Sequence, residues 1–190
     1  MSKMIRIQVG LLLLLAWASQ TPLWAQPYRE NLVASPFQIF NTMRSQFDGE
    51  EYDKLLKSMK VLSPWVEAME RKEGIDLLRE MEGAVASKSR ERVEFNLRRL
   101  VVVDLSDLLN FGEDSRPLND KEKMYLRTAV LEYNLISSEV QERSIQTDQR
   151  IKNNIKKMMI LVNETGMVAE GVRGFAQAIL NDIRPLAQLK

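Results

Sequence analysis

Asp104 is the first residue in this chain whose position asks for a chemical explanation. Leu97, Val101, Asp104, Leu108 and Phe111 are spaced 4, 3, 4 and 3, the spacing of one helix face. A carboxylate therefore stands where the pattern asks for an apolar side chain. Its functional chemistry would be to hold a cation or a basic substrate group. A second set, Tyr125, Glu132, Tyr133, Glu139 and Glu142, offers carboxylate and phenol oxygens able to hold iron(III) or a basic ligand. Asp104, Glu132 and Tyr133 are the metal or ligand candidates. An all-oxygen calcium or magnesium site needs several converging oxygens, and Asp104 with Asp107 brings only two carboxylates from one helix. The structural reading carries more weight for each: a charge-paired Asp104, a core tyrosine and a solvated glutamate face.

The sequence contains no histidine and no cysteine. That removes the usual neutral-pH general base, the Ser–His and Cys–His nucleophile systems, imidazole and thiolate zinc sites, and the common ligation of haem and iron–sulfur clusters. A di-iron carboxylate bundle would need Glu-x-x-His motifs, and a phosphate cradle would need a glycine-rich loop; the sequence has neither. Eight methionines follow residue 25. Only Met158 and Met159 are adjacent, and their side chains diverge on a helix, so core filling is expected and not copper(I) binding. We therefore expect no cofactor and no catalysis.

The N-terminus reads as an export signal. Lys3 and Arg6 precede an apolar run over Val9–Ala18, Pro22 follows it, and Ala25 or Ala18 provides a small residue for cleavage. The run is shorter than the roughly 20 residues a spanning helix needs, so no stable membrane insertion is expected after cleavage, and the protein is expected in the periplasm or secreted. Without Lys3 and Arg6, the 27 basic residues become 25 against 26 acidic ones, a formal charge of −1. Nucleic-acid binding calls for a basic face and is not expected. An exported chain without cysteine must hold its core by packing alone.

From Ser35 onward the pattern is helical, with no alternating β-branched runs bounded by tight turns. The expected organisation is a signal peptide over 1–25, an extended linker over 26–35 and one all-α domain over 36–190. Ser35 and Pro36 start a short helix that ends at Asp48-Gly49. Tyr52, Leu55, Met59, Leu62, Val66 and Met69 form a bundle seam. Pro64 interrupts it, predicting a kink or a fresh start capped by Ser63. A third helical stretch runs from Ile75 to Phe111, weakened at Gly83 and at Ser87–Arg90. After a Gly112–Leu118 loop, Asn119 with Glu122 forms a capping box for a helix reaching Asn163, roughly 67 Å if unbroken, with a kink expected near Ser144–Asp148. Its stripe is polar between 137 and 154, which argues against a self-pairing coiled coil. Gly166, Gly171 and Gly174 loosen the chain before a last helix from Phe175, disturbed by Pro185. Four long helices and one short one, joined by short loops, predict an antiparallel bundle.

An antiparallel hairpin across the Gly112–Leu118 loop would place Asp104 level with Leu126, beside Arg127 and Thr128. The same construction pairs Asp107 with Lys123 and Arg98 with Glu132. Asp104 is accordingly expected to be partly buried, held by Arg127 or by the Thr128 hydroxyl. Lys152, Lys156 and Lys157 form a modest basic patch, diluted by Glu164, that could meet anionic lipid or an acidic partner. The sequence thus points to an exported, non-catalytic helical protein with an accessory role, presenting a helical face to a protein partner. A small-ligand or metal-carrying bundle is the alternative.

Overall fold

The computed structural model describes residues 35–110, 117–163 and 169–189. The expected signal peptide, nearly all of the 26–35 linker, Phe111 and most of the 112–118 loop lie outside the described residues. Among the described residues the fold is all-helical, with eight α-helices and one short 3₁₀ helix. The helices are α1 Pro36–Asp48, α2 Tyr52–Val61, α3 Ser63–Glu73, α4 Leu77–Ala86, α5 Arg90–Leu109, α6 Asp120–Arg143, α7 Ile145–Asn163 and α8 Ala169–Ile183, followed by the 3₁₀ turn Arg184–Ala187.

Local chemistry sets most boundaries. Ser35 and Gln38 exchange side-chain and backbone bonds at the start of α1, and Asn119 and Glu122 do the same at α6. These reciprocal bonds satisfy amide groups that a helix start leaves open. Pro64 breaks the ladder between α2 and α3, and here the expectation is corrected. Ser63 is not a cap but a helical residue, and its hydroxyl donates to the Lys60 carbonyl at 2.7 Å. That carbonyl is the acceptor that the missing proline N–H would have used. Gly74, at φ 67°, ends α3 in the left-handed conformation that glycine adopts without strain.

The expected long helices are folded in two. The stretch from Ile75 breaks at Ser87–Ser89, where Ser89 caps α5, while Gly83 stays inside α4. Helix α4 then lies back along α5: Asn96 donates to the Glu80 carbonyl at 3.3 Å, and Arg99 pairs with the Glu80 carboxylate. The stretch from Asn119 breaks at Ser144, whose backbone is extended (φ −162°, ψ 104°). Arg127 reaches Asn163 at 3.3 Å and Ser137 reaches Asp148 at 3.0 Å, so α6 and α7 run antiparallel with Ser144 as the whole connection. The expected kink is therefore a complete reversal, and two rods of about 36 and 28 Å replace one of 67 Å. Helix α8 begins at Ala169, ahead of the expected Phe175, and carries Gly171 and Gly174 within it; Pro185 ends it as expected.

Helix α5 runs through the centre, packing against α1, α4, α6, α8 and the 3₁₀ turn. Every residue from Asn96 to Ser106 is buried. The one-stripe reading of this helix is thus corrected: it is covered all round, as a central helix must be. Around it, buried side chains from Phe40 to Leu189 form one apolar cluster. Trp65 is fully buried and meets Phe40 edge-on, ring centroids 5.7 Å apart. The C-terminal segment is tied in by ion pairs of Arg184 with Glu73 at 2.8 Å and of Arg150 with Asp182 at 2.7 Å.

Candidate functional site

Helix α5 and the α6–α7 hairpin place the polar candidates in the interior. Asp104 and Glu132 are fully buried, and Tyr133 is 1% exposed. The partners expected for Asp104 face elsewhere. Arg127 is exposed and bonds Asn163, and the Thr128 hydroxyl donates to the Met124 carbonyl of its own helix at 3.1 Å. Asp107 pairs with Lys72 at 3.0 Å. Arg98 pairs with Glu139 and not with Glu132. The α5–α6 register at Arg98 is therefore displaced from the equal-height construction by seven residues, about 10 Å along α6.

Two networks organise this interior. In the first, Glu139 on α6 receives Arg98 of α5 at 3.0 Å and a short contact from Arg44 of α1, while Arg98 Nε donates to the Leu186 carbonyl at 3.3 Å. One carboxylate thus joins the N-terminal helix, the central helix and the C-terminal turn. Burial pushes the Glu139 carboxyl above the ordinary glutamate value, and the two arginines pull against that shift. A cavity of about 10 Å³ adjoins Glu139, Arg44 and Arg98; it has room for about one water.

In the second network, Asp148 on α7 receives the Tyr133 hydroxyl at 2.8 Å, the Ser137 hydroxyl at 3.0 Å and the Lys152 ammonium at 2.8 Å. Burial would raise the Asp148 carboxyl, but these three donors outweigh it and hold it below the ordinary aspartate value. Burial first, then the bond to Asp148, pushes the Tyr133 phenol far above its ordinary value. The phenol stays protonated and acts as a donor, which makes it a poor anionic metal ligand. Ser137 lies in the polar middle of the stripe noted in the sequence, and Asp148 falls within the same span but outside the stripe. They face each other because the chain reverses there, a pairing that sequence reading missed although the polar stretch signalled it.

Among the described residues, no group of three or more His, Cys, Asp or Glu side chains comes together in a way that could hold a metal ion. A broad surface depression of about 610 Å³ lies at the hairpin turn, between Ser138 and Gln146. No helix among the described residues is long and apolar enough to cross a membrane. Compared with family models, curated proteins and solved structures, the chain matches none.

Proposed function

We propose that this is an exported, non-catalytic helical protein, periplasmic or secreted, that works by presenting a helical face to a protein partner. The observation that carries this reading is a contrast between inside and outside. The interior polar groups Glu139, Asp148 and Tyr133 are engaged in joining helices to one another. The outer surface, in turn, leaves Met124, Leu131, Ile145 and Ile160 about half exposed along α6 and α7. Large apolar side chains at helical spacing on an outer surface, rimmed by polar groups, are characteristic of partner-binding faces.

The test is co-purification. The mature chain, immobilised, should retain one specific protein from a periplasmic extract of its host; retention of none would overturn the reading. The carrier alternative draws on Asp104 and Glu132, two carboxylates at 0% exposure. Protein purified without chelator should carry no stoichiometric iron, copper or calcium, and one equivalent would favour the carrier. Under the proposal, Asp104→Asn changes thermal stability and leaves partner retention intact.

A further inference from the structure

The antiparallel course of α6 and α7 brings three exposed apolar side chains to one place. Arg127 and Asn163 bond across the hairpin at 3.3 Å. Leu131 is one turn beyond Arg127, and Ile160 is one turn before Asn163; both steps lead toward the turn at Ser144. Leu131 and Ile160 therefore lie at the same height on the outer face, with Met124 about two turns away, beyond Arg127. Their exposures are 48%, 54% and 53%.

Charge in the middle of this face has one sign, and the exposed acids Asp120 and Glu142 stand only at the two ends of α6. The exposed residues of α6 from 123 to 141 are Met124, Arg127, Leu131, Asn134, Ser138 and Gln141, with no acid among them. Helix α7 has a single acid, Asp148, and it is buried. Lys156 and Lys157 are exposed beside Ile160, and neither they nor Arg127 pair with a carboxylate among the described residues. Yet the chain from Gln26 carries a formal −1. The cations are gathered here against the overall balance.

We propose that the outer face of the α6–α7 hairpin is a docking groove for an acidic amphipathic helix of a partner protein. The partner's apolar stripe would lie on Met124, Leu131 and Ile160, and its carboxylates would meet Arg127, Lys156 and Lys157. This rests on the protein-partner reading above and names the chemistry of that partner. Two parallel-lying helices leave a groove suited to a third helix. Complementary charge adds encounter rate and orientation. The exposed side chains of this face include no Trp, Phe or Tyr, the residues with which surface helices usually anchor in a bilayer, so protein is favoured over lipid.

The test uses the mature chain and three fluorescently labelled synthetic helices of about 18 residues, long enough to cover α7 at ~1.5 Å per residue. The first has a leucine stripe with glutamate elsewhere, the second replaces glutamate by lysine, and the third scrambles the first. Fluorescence anisotropy should show saturable binding of the acidic striped peptide alone, weakened by salt. Lys156→Glu with Lys157→Glu, and separately Leu131→Gln with Ile160→Gln, should each weaken it about tenfold or more. All four positions are on the surface, and circular dichroism and Trp65 fluorescence report whether the variants keep the fold. Equal binding of the lysine or scrambled peptide, or unchanged binding by both variants, overturns the proposal. So does binding of phosphatidylglycerol vesicles with no peptide binding, which would assign the face to lipid. If the co-purified partner is retained equally by both double variants, the docking face is wrong and the protein-partner reading stands. If the wild type retains no partner, the broader reading falls first.

Discussion

Replacing Glu139 by glutamine tests whether the interior charges hold the helices together. The substitution keeps shape and one acceptor oxygen but removes the charge that answers Arg98 and Arg44. Arg98 is 4% exposed, so its guanidinium would remain buried with the Leu186 carbonyl and a neutral amide. Removing one partner of a buried ion pair costs about 3–5 kcal/mol. Arg44, at 26% exposure, can turn to water or to Asp48 at 3.5 Å, and the amide retains a weaker bond. The expected loss is therefore about 2–4 kcal/mol. For a domain of this size, 1 kcal/mol corresponds to about 2–4 °C, so Tm should fall by roughly 5–15 °C. The assay is thermal and urea unfolding of the chain from Gln26, followed by circular dichroism and by Trp65, which is fully buried and is the one tryptophan after Ala25. Hydrogen exchange should also quicken at the C-terminal turn, since Arg98 holds Leu186. The double change Arg98→Met with Glu139→Leu should recover much of the loss, because an apolar pair of similar volume removes both desolvated charges. A loss below about 0.5 kcal/mol for Glu139→Gln, the level of an ordinary surface change, would refute the reasoning.

Tyr133→Phe keeps the ring in the core and deletes one donor to Asp148, so urea unfolding should report a loss of about 1–2 kcal/mol. The depressed Asp148 carboxyl stabilises the fold above the unfolded aspartate value near ~3.9, and this contribution fades as pH falls through its lower folded value; Asp148→Asn should therefore lose less stability than wild type between about pH 5 and 3. Ser144→Ala removes the side-chain bond to the Thr147 amide at 3.2 Å and should cost about 1 kcal/mol, with faster exchange of the first α7 amides as its local signature.

Features governed by near neighbours were legible without any structure. The serine cap at Ser35, the capping box at Asn119, the break at Pro64, the weak points at Ser87–Ser89 and Ser144 and the end at Pro185 all arise within a few residues, where side chain and backbone compete directly. The helical period also marked Tyr52, Leu55, Met59, Leu62, Val66 and Met69 as core; the last five are buried, and Tyr52 is half-buried against them. The basic patch at Lys152–Lys157 was visible as well, but the apolar side chains beside it were not, because Met124 and Leu131 lie on another helix.

What the sequence alone determined was helix formation and where the helices stop, since both follow from spacing and local hydrogen bonding. Tertiary structure decided how the segments pair. Whether Ser144 is a bend or a reversal depends on which apolar faces meet, and that sum runs over residues far apart in the chain. Arg98 was expected opposite Glu132, yet its partner is Glu139, 41 residues away, and Asn96 is buried because Glu80, 16 residues away, supplies its acceptor. The same distance hid the Tyr133–Asp148 bond: a charge or a phenol can be placed in a core only when its partner arrives from elsewhere, and the order of residues along the chain does not record that arrival.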